Sequence, residues 1–120
     1  QRSCVTPARR AAAAKMEACF VLAGAPVRHE GEYPGWAPAA VSPVRDACVA
    51  SYKKLFGVEP KVKAIHAGLE CGLFTEKFPG LDMVSFGPTL RGVHAPGERL
   101  DLASLDKFVA LLVDVVTTYR

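Results

Sequence analysis

The sequence lacks the features that mark membrane-spanning and nucleic-acid-binding proteins. No apolar run reaches the ~18 residues of a membrane-spanning helix, because Lys15 and Glu17 interrupt the longest candidate, residues 11–25. That segment therefore predicts a helix and not a signal-peptide core. The net charge is only +3 over 120 residues, and no repeated aromatics accompany the one basic cluster, at 53–63. We expect no nucleic acid and no membrane among its partners.

The chain also lacks any metal- or disulfide-type spacing of cysteine, since none of its four cysteines belongs to a CxxC pair. Cys19 and Cys48 fall on apolar helix faces, as reduced core thiols of an intracellular protein do. Cys71 lies near a predicted helix start, where a thiolate is favoured. A thiol hydrolase that pairs Cys71 with His66 or His94 is the weakest of the functions that we consider.

Helical spacing and cap residues predict four helices. The first runs from Pro7 to Ala23 with Thr6 as N-cap, and the second begins at Ser42–Pro43 and stops at Gly57. A short helix is predicted at 69–78, and a last one follows residue 101. The apolar face predicted for the first helix includes Met16, Cys19 and Phe20. The face predicted for the last helix includes Leu105, Phe108, Val109, Leu112, Val113 and Val116.

Strands are predicted at 25–31, 62–68 and 82–87, between these helices. A strand–helix–strand unit of this length favours a parallel pair joined by a right-handed crossover, and hence an α/β fold. Ligands of such sheets gather at the carboxyl ends of the strands. The segments "HAGLECG" and "GPTLRGVHAPGE" follow two of the strands, so we expect them on the same rim.

The two rim segments carry the candidate site residues. His94 lies on a Gly- and Pro-rich loop. Its imidazole could be a metal ligand, a general base or a surface histidine without a function. No HxH or HExxH pattern accompanies it, so a complete zinc site cannot be read from the sequence. Gly68 and Gly72 suit either an anion bound at a helix start or an ordinary turn beside a buried His66.

A family resemblance is carried by "LAGAPVRHEGEYPGWAP", "KAIHAGLECGLF" and "DMVSFGPTLRGVHAPGERL". Together these segments resemble the C-terminal quarter of the aminoacyl-histidine (Xaa-His) dipeptidases, carnosine-cleaving members of a dinuclear zinc peptidase family. The resemblance implies an α/β/α catalytic domain interrupted by an α+β lid domain. Residues 1–33 would be the last strand–helix–strand of the lid and dimerisation domain, 34–42 a linker, and 43–120 the C-terminal part of the catalytic domain.

The resemblance also implies roles for particular residues. His94 matches the last zinc ligand, Arg2 a lid arginine that grips the substrate carboxylate, and Gly68 a position whose backbone holds substrate. Glu70 belongs to the same motif and is placed with the substrate-binding residues without a firm role. Glu98, four residues after His94, is expected to brace the loop.

The other zinc ligands and the general-base Glu of the family match no part of this chain. In the complete enzyme two zinc ions would activate water for attack on an Xaa-His dipeptide. We therefore expect no catalytic residue in this chain, no activity from it alone, and the N-terminal part of the same protein as its partner. A cytoplasmic homodimer formed through the lid is also implied. The alternative is a non-catalytic, self-associating or binding module.

Overall fold

The structure is a computed structural model that describes residues 3–67 and 69–119. It forms two compact units, one made of Gln1–Ala40 and Val62–Leu81, the other of Val41–Lys61 and Asp82–Arg120. The assignment of residues 1–33 to a lid and 43–120 to a catalytic domain stays a prediction. The elements in chain order are α1 (Thr6–Leu22), α2 (Pro43–Phe56), α3 (Glu70–Lys77), β1 (Leu90–Arg91), β2 (Arg99–Leu100) and α4 (Leu102–Thr118).

The predicted caps of the second unit's helices are confirmed. The Ser42 hydroxyl accepts a hydrogen bond from the Arg45 N–H at 3.2 Å, and Gly57 ends α2 with φ 70°. At α4 the Asp101 carboxylate accepts from the Ala103 N–H at 3.1 Å. Each cap satisfies backbone groups that have no partner inside the helix.

Helix α1 begins differently from the prediction. Its N-cap is Val5, and Thr6 is the first helical residue. The Thr6 hydroxyl instead accepts a hydrogen bond from the Gly35 N–H at 2.8 Å, so a long-range contact takes the oxygen that was expected to cap the helix. The predicted apolar face is not covered by the described residues, because Met16 and Phe20 are about half exposed and α1 has no buried residue.

The core of the second unit lies between α2 and α4. Cys48, Leu111 and Val115 are buried there, and Phe86 packs against them from the segment before β1. Most of the predicted α4 face was wrong: Val109, Leu112, Val113 and Val116 are exposed, whereas Leu105 and Phe108 are half-buried. Apolar residues occupy nearly all sides of α4 between 108 and 116, so spacing alone could not select the side that meets α2.

The parallel pair of strands is absent from the part of the chain that the structure describes. Residues 25–31, 62–67 and 82–87 have no regular secondary structure there. The two strands present form an antiparallel pair, with Leu90 opposite Leu100 and Arg91 opposite Arg99. A strand needs a neighbour to complete its backbone hydrogen bonds, and residues 62–67 and 82–87 belong to different units. None of the described helices is both long and apolar enough to cross a membrane.

Candidate functional site

His94 lies at the tip of the loop that joins β1 to β2, residues 92–98. Two consecutive turns build the loop, because the Ala95 N–H donates to the Gly92 carbonyl and the Glu98 N–H to the Ala95 carbonyl, both at 3.1 Å. The paired strands close its base, and the Asp101 N–H donates to the Thr89 carbonyl at 2.9 Å just beyond them. The loop is therefore anchored at its base, and His94 projects from the exposed side.

The backbone of His94 is in the left-handed region, with φ 63°. It is the only non-glycine residue with positive φ among the described residues, and backbone outliers of this kind cluster at functional sites. Its N–H donates to Glu98 Oε2 at 3.2 Å, which is the brace expected from the sequence. No described residue hydrogen-bonds the ring of His94, so both ring nitrogens are available to a ligand.

A metal could take one ligand from this loop. An exposed imidazole without a competing partner suits a transition metal such as zinc. Among residues 3–67 and 69–119, however, no group of three or more His, Cys, Asp or Glu side chains is arranged to hold a metal ion. The residues described here thus fit a single contribution to a metal site and not a complete site.

Glu70, the predicted substrate-binding residue, opens α3 in the first unit and is exposed. A carboxylate in the first turn of a helix interacts favourably with the helix dipole, which gives Glu70 a structural role as well. Tyr33 lies within its electrostatic reach: partial burial, followed by the negative charges of Glu70 and Cys71, raises the pKa of Tyr33. Tyr33 was not among the residues predicted for the site. The sequence feature that could have indicated it is its position in the family segment "YPGW".

Two glycines hold this region together by close backbone packing. A Cβ on Gly72 would stand 2.4 Å from the Pro34 carbonyl oxygen, and one on Gly35 would stand 2.5 Å from that of Cys4. No real Cβ contact is so short, so α3, the "YPGW" segment and the residues before α1 can approach only because these positions lack side chains. Gly72, interpreted from sequence as a turn or anion-binding glycine, is buried inside α3.

An open polar cavity of about 350 Å³ lies beside this packing. Arg10 donates from Nε to Glu32 Oε1 at 2.6 Å, and this contact raises the pKa of Arg10 and lowers that of Glu32. No sequence pattern indicated the cavity, because its walls come from distant segments. They are Thr6, Arg10, Glu32, Pro34, Gly35, Gly72, Thr75 and Glu76.

The thiol hydrolase is not supported by the chemistry of the first unit. Burial, together with the charge of Glu70, raises the pKa of the Cys71 thiol, which opposes the thiolate expected at a helix start. His66 is exposed and not buried as one alternative required. Its Nδ1 accepts a hydrogen bond from the Cys4 N–H at 3.2 Å, so its ring is engaged with backbone.

The predicted site residues are not all described. Arg2 and Gly68 lie outside the described residues. Glu70 belongs to the first unit and His94 to the second, so their expected position on a common rim stays a prediction.

Comparison with known proteins adds independent information. The model of peptidase family M20/M25/M40 matches residues 12–118. The chain is 45% identical over 95 residues to the cytosol non-specific dipeptidase of Escherichia coli (strain K12). The aligned segment covers 79% of this chain and 20% of that protein.

Among solved structures, the chain resembles aminoacylhistidine dipeptidase from Vibrio alginolyticus with a TM-score of 0.77 and 36% identity. That match covers 98% of this chain and 24% of the other. The chain thus spans about a fifth to a quarter of the length of these relatives. The resemblance found in the sequence is confirmed, and the chain belongs to peptidase family M20/M25/M40.

Proposed function

We propose that this chain is the C-terminal part of a metal-dependent dipeptidase that hydrolyses Xaa-His dipeptides such as carnosine. The observation that carries the proposal is the exposed imidazole of His94 on a braced loop, which no described residue hydrogen-bonds. Membership of a peptidase family and similarity to two dipeptidases support the reaction class.

His94 would be one ligand of a two-zinc site. When bound, the metal ions would polarise the scissile carbonyl and activate water. The role of this chain would be to hold one imidazole at the edge of the metal site. The remaining ligands and the general base would come from elsewhere in the protein. This chain alone would therefore be inactive.

Arg2, Gly68 and Glu70 would contribute to the substrate side. A guanidinium at Arg2 suits a substrate carboxylate, because it presents two parallel donors to two oxygens. The backbone at Gly68 would hold substrate, and the exposed carboxylate of Glu70 would lie beside it. Tyr33 joins this group because the charge of Glu70, after burial, contributes to the raised pKa of its phenol.

The outer face of α4 supports the proposal that more of the same polypeptide belongs with this chain. Val109, Val113 and Val116 are 47%, 56% and 69% exposed, and with Leu112 they form one stripe at helical spacing. Contiguous exposed apolar residues of this kind mark surfaces at which another protein segment packs. The N-terminal part of the same protein is the partner we propose for it, since the relatives are about four times as long as this chain.

A self-associating module is the second candidate, because the same apolar stripe could instead pair with a second copy. In the complete enzyme we propose a lid at residues 1–33, a linker at 34–42, a catalytic part at 43–120, and a homodimer through the lid. A cytoplasmic location is proposed because the Escherichia coli relative is named a cytosol dipeptidase.

The test uses the longest product of the gene and this 120-residue chain, with zinc content and β-Ala-His hydrolysis measured on both. We expect about two zinc ions and hydrolysis from the long product and neither from the short chain. His94→Ala in the long product should lose zinc and activity.

His29→Ala is the matched control, because His29 is exposed and pairs with Glu17 at 3.0 Å. It should keep wild-type zinc content and activity. Stoichiometric zinc in the short chain, or full zinc in His94→Ala, would refute the proposed ligand role. A concentration-dependent dimer of the short chain, with no gene product longer than it, would favour the self-associating module.

A further inference from the structure

We propose that Glu98 is a positioning residue for His94: its carboxylate holds the His94 backbone in the left-handed conformation from which the imidazole reaches the metal. The proposal rests on the proposed function, in that it assigns His94 as a metal ligand. It adds a residue whose contact is with the backbone of the ligand and not with its ring.

The contact fills a gap that the turns leave open. Within 92–98 the two turn hydrogen bonds employ the N–H groups of Ala95 and Glu98 but not that of His94. That N–H donates instead to Glu98 Oε2, at 3.2 Å. An ionised carboxylate is a stronger acceptor for a backbone N–H than a neutral group.

The conformation of His94 explains why a brace is needed. At φ 63° its Cβ is crowded against the following carbonyl oxygen, which disfavours this region for residues with a side chain. Glycines at 92 and 97 also have positive φ, and the loop closes on itself, since a Cβ on Gly92 would stand 3.7 Å from the Gly97 carbonyl oxygen. These glycines permit the path of the loop but do not fix the histidine.

The remaining anchors act at the base of the loop. The Thr89 N–H donates to Ser104 Oγ at 2.8 Å, and Ser104 Oγ donates to the Asp101 carbonyl at 2.6 Å, so β1 is tied to the start of α4. None of these contacts reaches His94. Loss of the Glu98 carboxylate should therefore loosen the tip and leave the hairpin and α4 intact.

The test uses the longest product of the gene with Glu98→Ala, Glu98→Gln and Glu59→Ala, the last a control at an exposed carboxylate whose ion pair with Lys53 spans 3.9 Å. Zn²⁺ affinity is measured by competition with a chelator, and the visible spectrum is recorded on the Co²⁺ form. Amide exchange of residues 92–98 is measured on the metal-free protein.

We expect Glu98→Ala to weaken Zn²⁺ binding by roughly 10-fold or more, the range seen when the partner of a metal ligand is removed. The His94 amide should exchange faster and the Co²⁺ spectrum should change. Glu98→Gln retains an acceptor oxygen and should rescue most of the affinity, whereas Glu59→Ala should match the wild type. Glu98→Asp, whose side chain is one methylene shorter, should behave like Glu98→Ala. If Glu98→Ala does not fold, Glu98→Asp takes its place in the test.

Unchanged Zn²⁺ affinity in both Glu98→Ala and Glu98→Asp, beside a loss in His94→Ala, would overturn the positioning role and leave the proposed function standing. Faster amide exchange without a change in affinity would overturn it equally. Full zinc in His94→Ala would instead remove the ligand role of His94, and both proposals would fall.

Discussion

Replacement of Gly72 by alanine tests the packing of the first unit most directly. In an exposed helix the change would stabilise the protein by about 1 kcal/mol, because alanine loses less backbone entropy and has the higher helix propensity. At position 72 the new Cβ would lie 2.4 Å from the Pro34 carbonyl oxygen, whereas ordinary contact begins at 3.4 Å. Helix α3 and the backbone at Pro34 would have to separate by roughly 1 Å, and overpacking on this scale costs ~1–3 kcal/mol.

The steric cost, less the gain in helix propensity, leaves a net destabilisation of up to about 2 kcal/mol, and we expect Gly72→Ala to lie toward the upper end because the clash is with backbone. A loss of 1 kcal/mol lowers the melting temperature of a small domain by roughly 4–8 °C. The same substitution at Gly87 is the control, because nothing lies within 4 Å of its Cβ position and its φ is not positive. Thermal unfolding gives the size of the change, and amide exchange in residues 69–78 gives its location. A melting temperature equal to or above that of the wild type would show that α3 does not approach Pro34 so closely.

Two other contacts give measurable expectations. Ser42→Ala removes the α2 cap and should cost about 1 kcal/mol by chemical denaturation, with exposed Ser85→Ala near neutral. The Ser42 hydroxyl and the backbone N–H of residue 44 both donate to Asp82 and lower its pKa. The ionised Asp82 should therefore stabilise the folded state above the ordinary carboxyl pKa range, and this stabilisation should disappear as pH falls through the lowered pKa. This acid-dependent loss should shrink in Ser42→Ala, and an unchanged pH profile would refute the link. Because burial raises the pKa of Cys71, exposed Cys19 should react first with iodoacetamide at neutral pH, as peptide mapping would show.

The helix caps could be predicted from the sequence because their causes are local. Ser42 and Asp101 each satisfy an N–H two or three residues ahead, and Gly57 adopts a backbone angle that other residues avoid. Where a distant group competes, local reasoning was wrong. Thr6 was expected to cap α1, but its hydroxyl accepts from Gly35, 29 residues away.

The strands and the covered face of α4 could not be predicted in this way. An apolar segment at 82–87 predicts a strand, but a strand exists only where another strand completes its hydrogen bonds. On α4 apolar residues surround the helix, so periodicity does not indicate which of them are buried. Leu111 and Val115 are buried because they lie on the side that packs against α2.

The candidate site combines both kinds of information. Spacing along the chain could not distinguish a metal ligand at His94 from a surface histidine, because the decisive neighbours of a ligand are distant in sequence. The family resemblance supplied the hypothesis, and the structure adds two observations. No described residue hydrogen-bonds the imidazole of His94, and its backbone, at φ 63°, is held by a carboxylate four residues away. The strained backbone, the ring without a partner among the described residues and the brace are the three observations on which the proposed ligand role of His94 rests.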